Sequence, residues 1–394
     1  MPRLILFFSL VVAIASPMLA QRDIGVLEVN ADNRKIPVRV SGSTPELNAL
    51  ALQAFGANGR YHVVSSGFAF DIQFSAEGSN QVRVDVARGS GGSVASEVAT
   101  GSDLRNALFA AADIAVSRTN GLGLRGFFTS RLVFVGKRTG HSEIYTSDLF
   151  FGDIRQITRD RAIAMTPRWS PDGDRVIYTS FFKSGFPDIF TIDLGSYQRS
   201  TFVSFKGTNS GARFSPDGRQ VAMVLSGEGE PEIYVSNAFG RGVSRRTRSD
   251  TVKASPCWSP DGSRLIFTMD PGPQLYVMSA SGGQAQRVSY GVSSYCAEPD
   301  WSRASPEKIA FTMRVGRSYQ IGVLDLSTQS GKQVSSAPFD ALEPSWLPDG
   351  RHVVYTARTA YTSRVCILDT ETGSSVPVSP SSFGPALQAN VWSR

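Results

Sequence analysis

Trp169-Ser170-Pro171-Asp172-Gly173 returns along the chain as Phe214 to Gly218, Trp258 to Gly262 and Trp346 to Gly350, the last with Leu347 in place of serine. A degraded copy begins at Trp301-Ser302 and a truncated one at Trp392-Ser393. The aromatic positions 169, 214, 258, 301, 346 and 392 are spaced by 43 to 46 residues and include all five tryptophans. The turn chemistry is specific. Proline presets φ at the second turn position, aspartate tolerates the third, and glycine supplies the positive φ that leads into a following strand.

That strand is present each time: Val176-Ile177-Tyr178-Thr179, Val221-Ala222-Met223, Leu265-Ile266-Phe267-Thr268, Ile309-Ala310-Phe311-Thr312 and Val353-Val354-Tyr355-Thr356. Leu132-Val133-Phe134-Val135 is an earlier copy without a tryptophan motif before it. A second strand follows, such as Ile189 to Ile192 or Leu275 to Val277, and a third near Gln156-Ile157-Thr158, Arg287-Val288-Ser289 and Pro377-Val378-Ser379. With the strand leading into the aromatic residue this makes four β-branched and aromatic strands per period. A repeat of this length with four strands reads as propeller blades. The first strands begin near 131, 175, 220, 264, 308 and 352, which predicts six blades. The final Trp392 strand should pair with 131–135 and hide two sheet edges at once. The tryptophans are expected to pack between blades.

Residues 22–120 fall outside the repeat. Strands are expected at Ile24–Val29, Ile36–Val40, Tyr61–Val64, Ala69–Phe74 and Val82–Ala87. One helix should start at Thr44-Pro45-Glu46 and stop at Gly56; another should run from a cap at Ser102-Asp103-Leu104 to about Arg118. The fold class is therefore mainly β: a six-bladed β-propeller over 131–394, preceded by a small α/β domain over 22–120 and a glycine-rich linker over 121–130.

Arg3, an apolar run from Leu4 to Ala15 and small residues up to Ala20 describe a secretory signal peptide over 1–20, cut after Ala20. The alternatives are a cut near Ala13-Ile14-Ala15 or an uncleaved anchor. Otherwise the composition is that of a globular protein, 41% hydrophobic and 19% charged with net charge +6. The basic residues are scattered. The densest cluster, Arg241, Arg245, Arg246 and Arg248, reads as a solvated loop, so nucleic acid is not an expected partner. Three cysteines, Cys257, Cys296 and Cys366, exclude a disulfide framework. Buried free thiols are expected, with a Cys257–Cys296 pair as the alternative.

No Gly-x-Ser-x-Gly elbow occurs, and His62, His141 and His352 lie in separate elements without metal-ligand spacing. His352 is expected to be structural or solvated. Neither an enzyme nor a cofactor is expected. Glu298 and Glu343 stand three residues before Trp301 and Trp346, at equivalent places in adjacent blades. They read as solvated loop acids, a cation held on the propeller axis being the alternative.

An export signal, a small α/β domain and a propeller of Trp-Ser-Pro-Asp-Gly repeats, with Gly126-Phe127-Phe128-Thr129-Ser130-Arg131 leading into blade one, together resemble the TolB family of the Tol-Pal system. The resemblance implies a periplasmic, non-enzymatic protein whose propeller binds a Pal-like outer-membrane lipoprotein. It also implies that the mature N-terminus binds a TolA-like inner-membrane protein, here through Asp23, Ile24, Val26 and Glu28. Equivalent loops of a propeller share one rim. The candidate partner-binding residues there are Thr166, Arg168, Thr208, Arg213, Ser255, Tyr295, Glu298 and Glu343, with Thr208 and Ser255 where the family presents residues to Pal. A metal-dependent, lactonase-like hydrolase and a wall-associated structural propeller are the alternative readings.

Overall fold

The computed structural model describes residues 35–393. The signal peptide, the Ile24–Val29 strand and the candidate residues Asp23, Ile24, Val26 and Glu28 lie outside the described residues.

The first domain runs β1 (Ile36–Gly42), α1 (Pro45–Ala57), β2 (Tyr61–Val63), β3 (Phe70–Ala76), β4 (Gln81–Arg88), β5 (Ser93–Thr100) and α2 (Leu104–Thr119). The sheet order is β2-β1-β3-β4-β5, with β1 parallel to β2 and β3 and the other pairs antiparallel. Thr44 caps α1 by accepting the Leu47 N–H at 3.2 Å, and Asp103 caps α2 by accepting the Asn106 N–H at 2.8 Å. Gly56 does not stop α1, which runs on to Ala57 and is capped at Asn58. Alternation puts Val82, Val84 and Val86 on the face of β4 that joins Ala107, Leu108, Ala111 and Ala115 of α2 in one core. β5 is the strand that the apolar pattern does not announce: Ser93, Ser96, Glu97 and Thr100 break up its apolar residues.

Six four-stranded antiparallel sheets follow. The inner strands of blades two to six are Ala164–Trp169, Asn209–Phe214, Lys253–Trp258, Cys296–Trp301 and Asp340–Trp346. Blade one is composite, because Ala386–Trp392 pairs antiparallel with Arg131–Gly136. No blade then presents an unpaired inner strand. The outer strands are short, only two residues in blades one, three and four. Five blades back them with a hydroxyl: Thr158, Thr247, Ser289, Ser335 and Ser379 accept the N–H of Ile144, Ile233, Leu275, Ile321 and Val365 at 2.8–3.1 Å.

The repeat tryptophans pack between blades. Trp169, Trp258 and Trp346 donate their indole N–H to backbone oxygens of Asn390, Arg213 and Asp300 at 3.2, 3.0 and 3.0 Å. Trp392 corrects the expected phase. Trp169 sits opposite Val176, but opposite the equivalent Leu132 stands Val391, and Trp392 comes one residue later, opposite Arg131. Its indole instead covers Gly173, stands 5.9 Å from the Trp169 ring and donates to the Pro171 oxygen at 3.0 Å.

The later part of the segment 121–130 is packed rather than loose, whereas Gly121, Leu122 and Gly123 are exposed. Phe127 and Phe128 are buried in a core that the two domains share, and the Phe128 and Thr129 N–H groups bond Asp113 at 2.9 and 3.0 Å. Burial pushes the Asp113 carboxyl up to about 6. His352 is structural, as expected, and fully buried: its Nε2 accepts the Gly59 N–H at 3.1 Å, and its Nδ1 lies 2.6 Å from the Asp349 carboxylate. Arg105 of α2 is paired with Asp148 of blade one at 2.5 Å. The first domain thus sits on the propeller face that carries the Trp-Ser-Pro-Asp-Gly turns, against blades six and one. Among the described residues the opposite face is free of it. Cys257, Cys296 and Cys366 are all buried free thiols, so the alternative Cys257–Cys296 pair is not formed.

Candidate protein-binding face and channel mouth

Each inner strand carries a bulge three residues before its repeat aromatic position, where the ladder register shifts. The bulged residues are Thr166, Gly211, Ser255, Glu298, Glu343 and Gln388, and all six have φ between 49° and 62°. Such a φ is unusual for the five residues that are not glycine. Its recurrence in every blade makes it a property of the architecture. The bulge turns these residues into the central channel, where they form its mouth on the face away from the first domain. Two residues further along, Arg168, Arg213, Cys257, Asp300, Ser345 and Asn390 form a deeper tier. Three residues before the bulges, Thr208 and Tyr295 occupy equivalent, half-buried positions on the outer rim.

The eight candidate rim residues therefore share one face but occupy three levels. Thr208 and Tyr295 are on the rim, and Thr166, Ser255, Glu298 and Glu343 are in the mouth. Arg168 and Arg213 lie in the lumen below. A cavity of about 70 Å³ joins the lower two levels. Gly211, Gln388 and the deeper residues other than the two arginines were not singled out in the sequence. Counting 45 residues on from Thr166 finds Gly211, but Gln388 is hidden by the shifted Trp392.

Glu298 and Glu343 are not solvated loop acids; both are in strands and half-buried. Glu298 Oε2 accepts the Thr312 hydroxyl at 2.6 Å and the Glu343 N–H at 3.1 Å. Glu343 Oε2 accepts the Thr356 hydroxyl at 2.8 Å, and its Oε1 accepts from Gln388 Nε2 at 2.9 Å. Gln388 in turn accepts the Thr166 N–H at 2.8 Å. One half of the mouth is thereby stitched from blade to blade. Burial, then the charge of Glu343, pushes Glu298 up to about 7.

The deeper tier works similarly. Asn390, Cys257, Asp300 and Ser345 accept the backbone N–H of Trp169, Trp301, Trp346 and Val391 from the next blade at 2.7–3.3 Å. Arg213 instead reaches across to Asp300 at 2.7 Å and to the Cys257 sulfur at 2.6 Å. Although burial opposes its charge, Cys257 and Asp300 hold its pKa above the ordinary arginine value. Arg168 makes no ion pair among the described residues. It donates to the Pro167 oxygen at 3.0 Å, and burial followed by the charge of Arg213 pulls it down to about 10. Neither arginine is the exposed rim charge that the sequence suggested. The Arg241–Arg248 cluster is partly tied down as well: Arg245 pairs with Glu232 at 2.9 Å, and Arg246 donates to the Ala280 oxygen at 2.8 Å.

The free face also displays apolar side chains. Phe186, Tyr290, Phe339 and Tyr361, in loops of blades two, four, five and six on that face, are between 53 and 96% exposed, and Phe182 and Phe205 join them. Among the described residues no group of three or more His, Cys, Asp or Glu could hold a metal ion.

These features define a closed six-bladed propeller with a polar, arginine-floored channel mouth set in an aromatic rim. The chain belongs to the TolB β-propeller family: the family described as "TolB beta propeller domain" matches residues 121–394. Among curated relatives, "Protein TolB homolog" of Chlorobium luteolum is 33% identical over 166 residues, covering 42% of this chain and 37% of that one. "Tol-Pal system protein TolB" of Bordetella pertussis is 34% identical over 166 residues, covering 41% and 38%. The match thus spans less than two fifths of those relatives' length. The crystal structure of TolB from Acinetobacter baumannii superposes with a TM-score of 0.79 at 23% identity over 91% of this chain and 96% of that one. The likeness extends the shared fold to the first domain.

Proposed function

We propose that this chain is a periplasmic, non-enzymatic component of a Tol-Pal system. It is exported by its first 20 residues and binds a Pal-like lipoprotein through the propeller face opposite its first domain. A TolA-like inner-membrane protein would be held by the mature N-terminus, through Asp23, Ile24, Val26 and Glu28. On this reading the chain meets membranes only through its partners. The reading is supported by membership of the TolB family and by the Tol-Pal name of a relative.

The observation that carries the choice of face is the ring of exposed aromatics around the polar mouth. Large aromatics at the centre of an interface dominate binding, and an apolar rim of this kind is unusual on a surface without a partner. Thr208 and Tyr295 stand between the aromatics and the mouth and would be covered together with them. The test is calorimetry of the mature chain with the cognate Pal-like lipoprotein. Phe186→Ala and Tyr290→Ala should each weaken binding, and at a dominant position by about 2 kcal/mol or more. A folded double variant with wild-type affinity would place the site elsewhere.

A further inference from the structure

The six bulges are built alike but are not satisfied alike. In blades five and six the bulged residue is a glutamate. Its carboxylate takes the hydroxyl of a threonine on the neighbouring strand, Thr312 or Thr356. That same hydroxyl oxygen lies 3.0 Å from the Glu343 N–H in one case and 2.9 Å from the Gln388 N–H in the other. The Glu298 carboxylate also accepts the Glu343 N–H directly.

Blade four keeps the threonine and lacks the carboxylate. Thr268 stands opposite Ala254 as Thr312 stands opposite Ala297 and Thr356 opposite Leu342, so the three threonines are equivalent. The bulged residue here is Ser255, whose side chain is too short to play the glutamate's part. Thr268 is only 5% exposed, and its hydroxyl has no hydrogen-bond partner among the described residues. A buried, unsatisfied hydroxyl is costly to keep. The Glu298 N–H, which corresponds to the Glu343 N–H of the next blade, meets no side-chain acceptor among the described residues. The same holds for the N–H groups of Ser255 and Gly211. Below them the cavity is floored by Arg168, which makes no ion pair among the described residues, and by Arg213. The Thr268 and Ser255 hydroxyls can donate or accept; the other groups left over in this sector are N–H donors or bear a positive charge, although Glu298 and Glu343 also line the cavity.

We propose that the mouth of the channel at blades three and four is a carboxylate subsite. It receives the acidic side chain of the docked protein partner into the place that Glu298 and Glu343 fill in the next two blades. The ligand's oxygens take the Thr268 hydroxyl and the Glu298 N–H, with Arg168 beneath them. Carboxylate is favoured over other anions because the same donor pair already holds one in blade five. The assignment of this group to a protein partner rests on the function proposed above; the subsite itself does not.

The test has two arms. In the first, the mature protein is titrated with sodium acetate, followed by NMR at the Ser255 and Glu298 amides. Wild type should show saturable shifts there. Thr268→Val, which keeps the shape and removes the donor, should weaken acetate at least tenfold. Ser255→Glu, which supplies a carboxylate in cis, should abolish it. Absence of saturable acetate binding to wild type, or identical binding to folded Thr268→Val, would overturn the subsite. In the second arm, the Pal-like lipoprotein is titrated into wild type and Ser255→Glu. A loss of affinity of tenfold or more supports a carboxylate supplied by the partner. Lost acetate binding with unchanged partner affinity would overturn that source. A wild-type chain that binds acetate but not the lipoprotein would overturn the proposed function and, with it, the partner as source.

Discussion

Glu298→Gln removes one ionisable group from the stitched half of the mouth while keeping its geometry. Only Oε2 of Glu298 is engaged, accepting the Thr312 hydroxyl and the Glu343 N–H at 2.6 and 3.1 Å. A glutamine can present its single oxygen at that position, so both bonds survive. What disappears is the cost of burying the Glu298 charge and, second to it, the repulsion from Glu343. In the wild-type fold Glu298 is raised to about 7 from an ordinary value of 4.5. A folded value above the unfolded one means that its contribution is fully present below about pH 4.5 and is lost as the pH rises through 7. The interval corresponds to about 3 kcal/mol as an order of magnitude, and it belongs to the Glu298–Glu343 pair rather than to one residue. Urea unfolding at pH 5 should therefore give similar stabilities for variant and wild type. At pH 8 the variant should be more stable by up to about 3 kcal/mol. A difference between variant and wild type that does not change from pH 5 to pH 8 would refute the reasoning.

The blade closure and the domain contact can be tested in the same way. Deleting residues 389–394 removes Val391 and Trp392, uncovers part of the Arg131–Gly136 edge and exposes Gly173. A loss of about 3–5 kcal/mol is expected, and a truncated protein with an unchanged melting temperature would show that closure does not depend on this segment. Gly59→Ala would drive a methyl into the Asp369 carboxylate at the residue whose N–H bonds His352. Limited proteolysis should then cut the 121–130 segment faster than in wild type, and an unchanged rate would count against this contact as what holds the domains together.

What could be read from the sequence and what could not follow from the same repeat. A blade needs an aromatic residue between sheets, a tight turn and an apolar strand, and these requirements recur in blades two to six; the residues that meet them keep their period and are visible as a pattern. The lumen has no such requirement. Its backbone bulge recurs, yet the side chains there are Thr166, Gly211, Ser255, Glu298, Glu343 and Gln388, with no common chemistry. Treating those positions as one exposed rim failed for Arg168 and Arg213 because two residues along an inner strand is one level deeper in the channel. Trp392 misled for the opposite reason. A tryptophan near the expected place was assigned to the repeat, whereas Val391 fills that place and the indole covers Gly173 from outside it. The departure at Ser255 becomes legible only when the blades are laid over one another. Serine is unremarkable in sequence, but its blade retains Thr268, the hydroxyl that in the next two blades serves a glutamate. On the subsite proposed above, a donor kept without its acceptor would put the selectivity of the channel in the bulge tier, one of two lumen tiers whose side chains the repeat leaves free to vary.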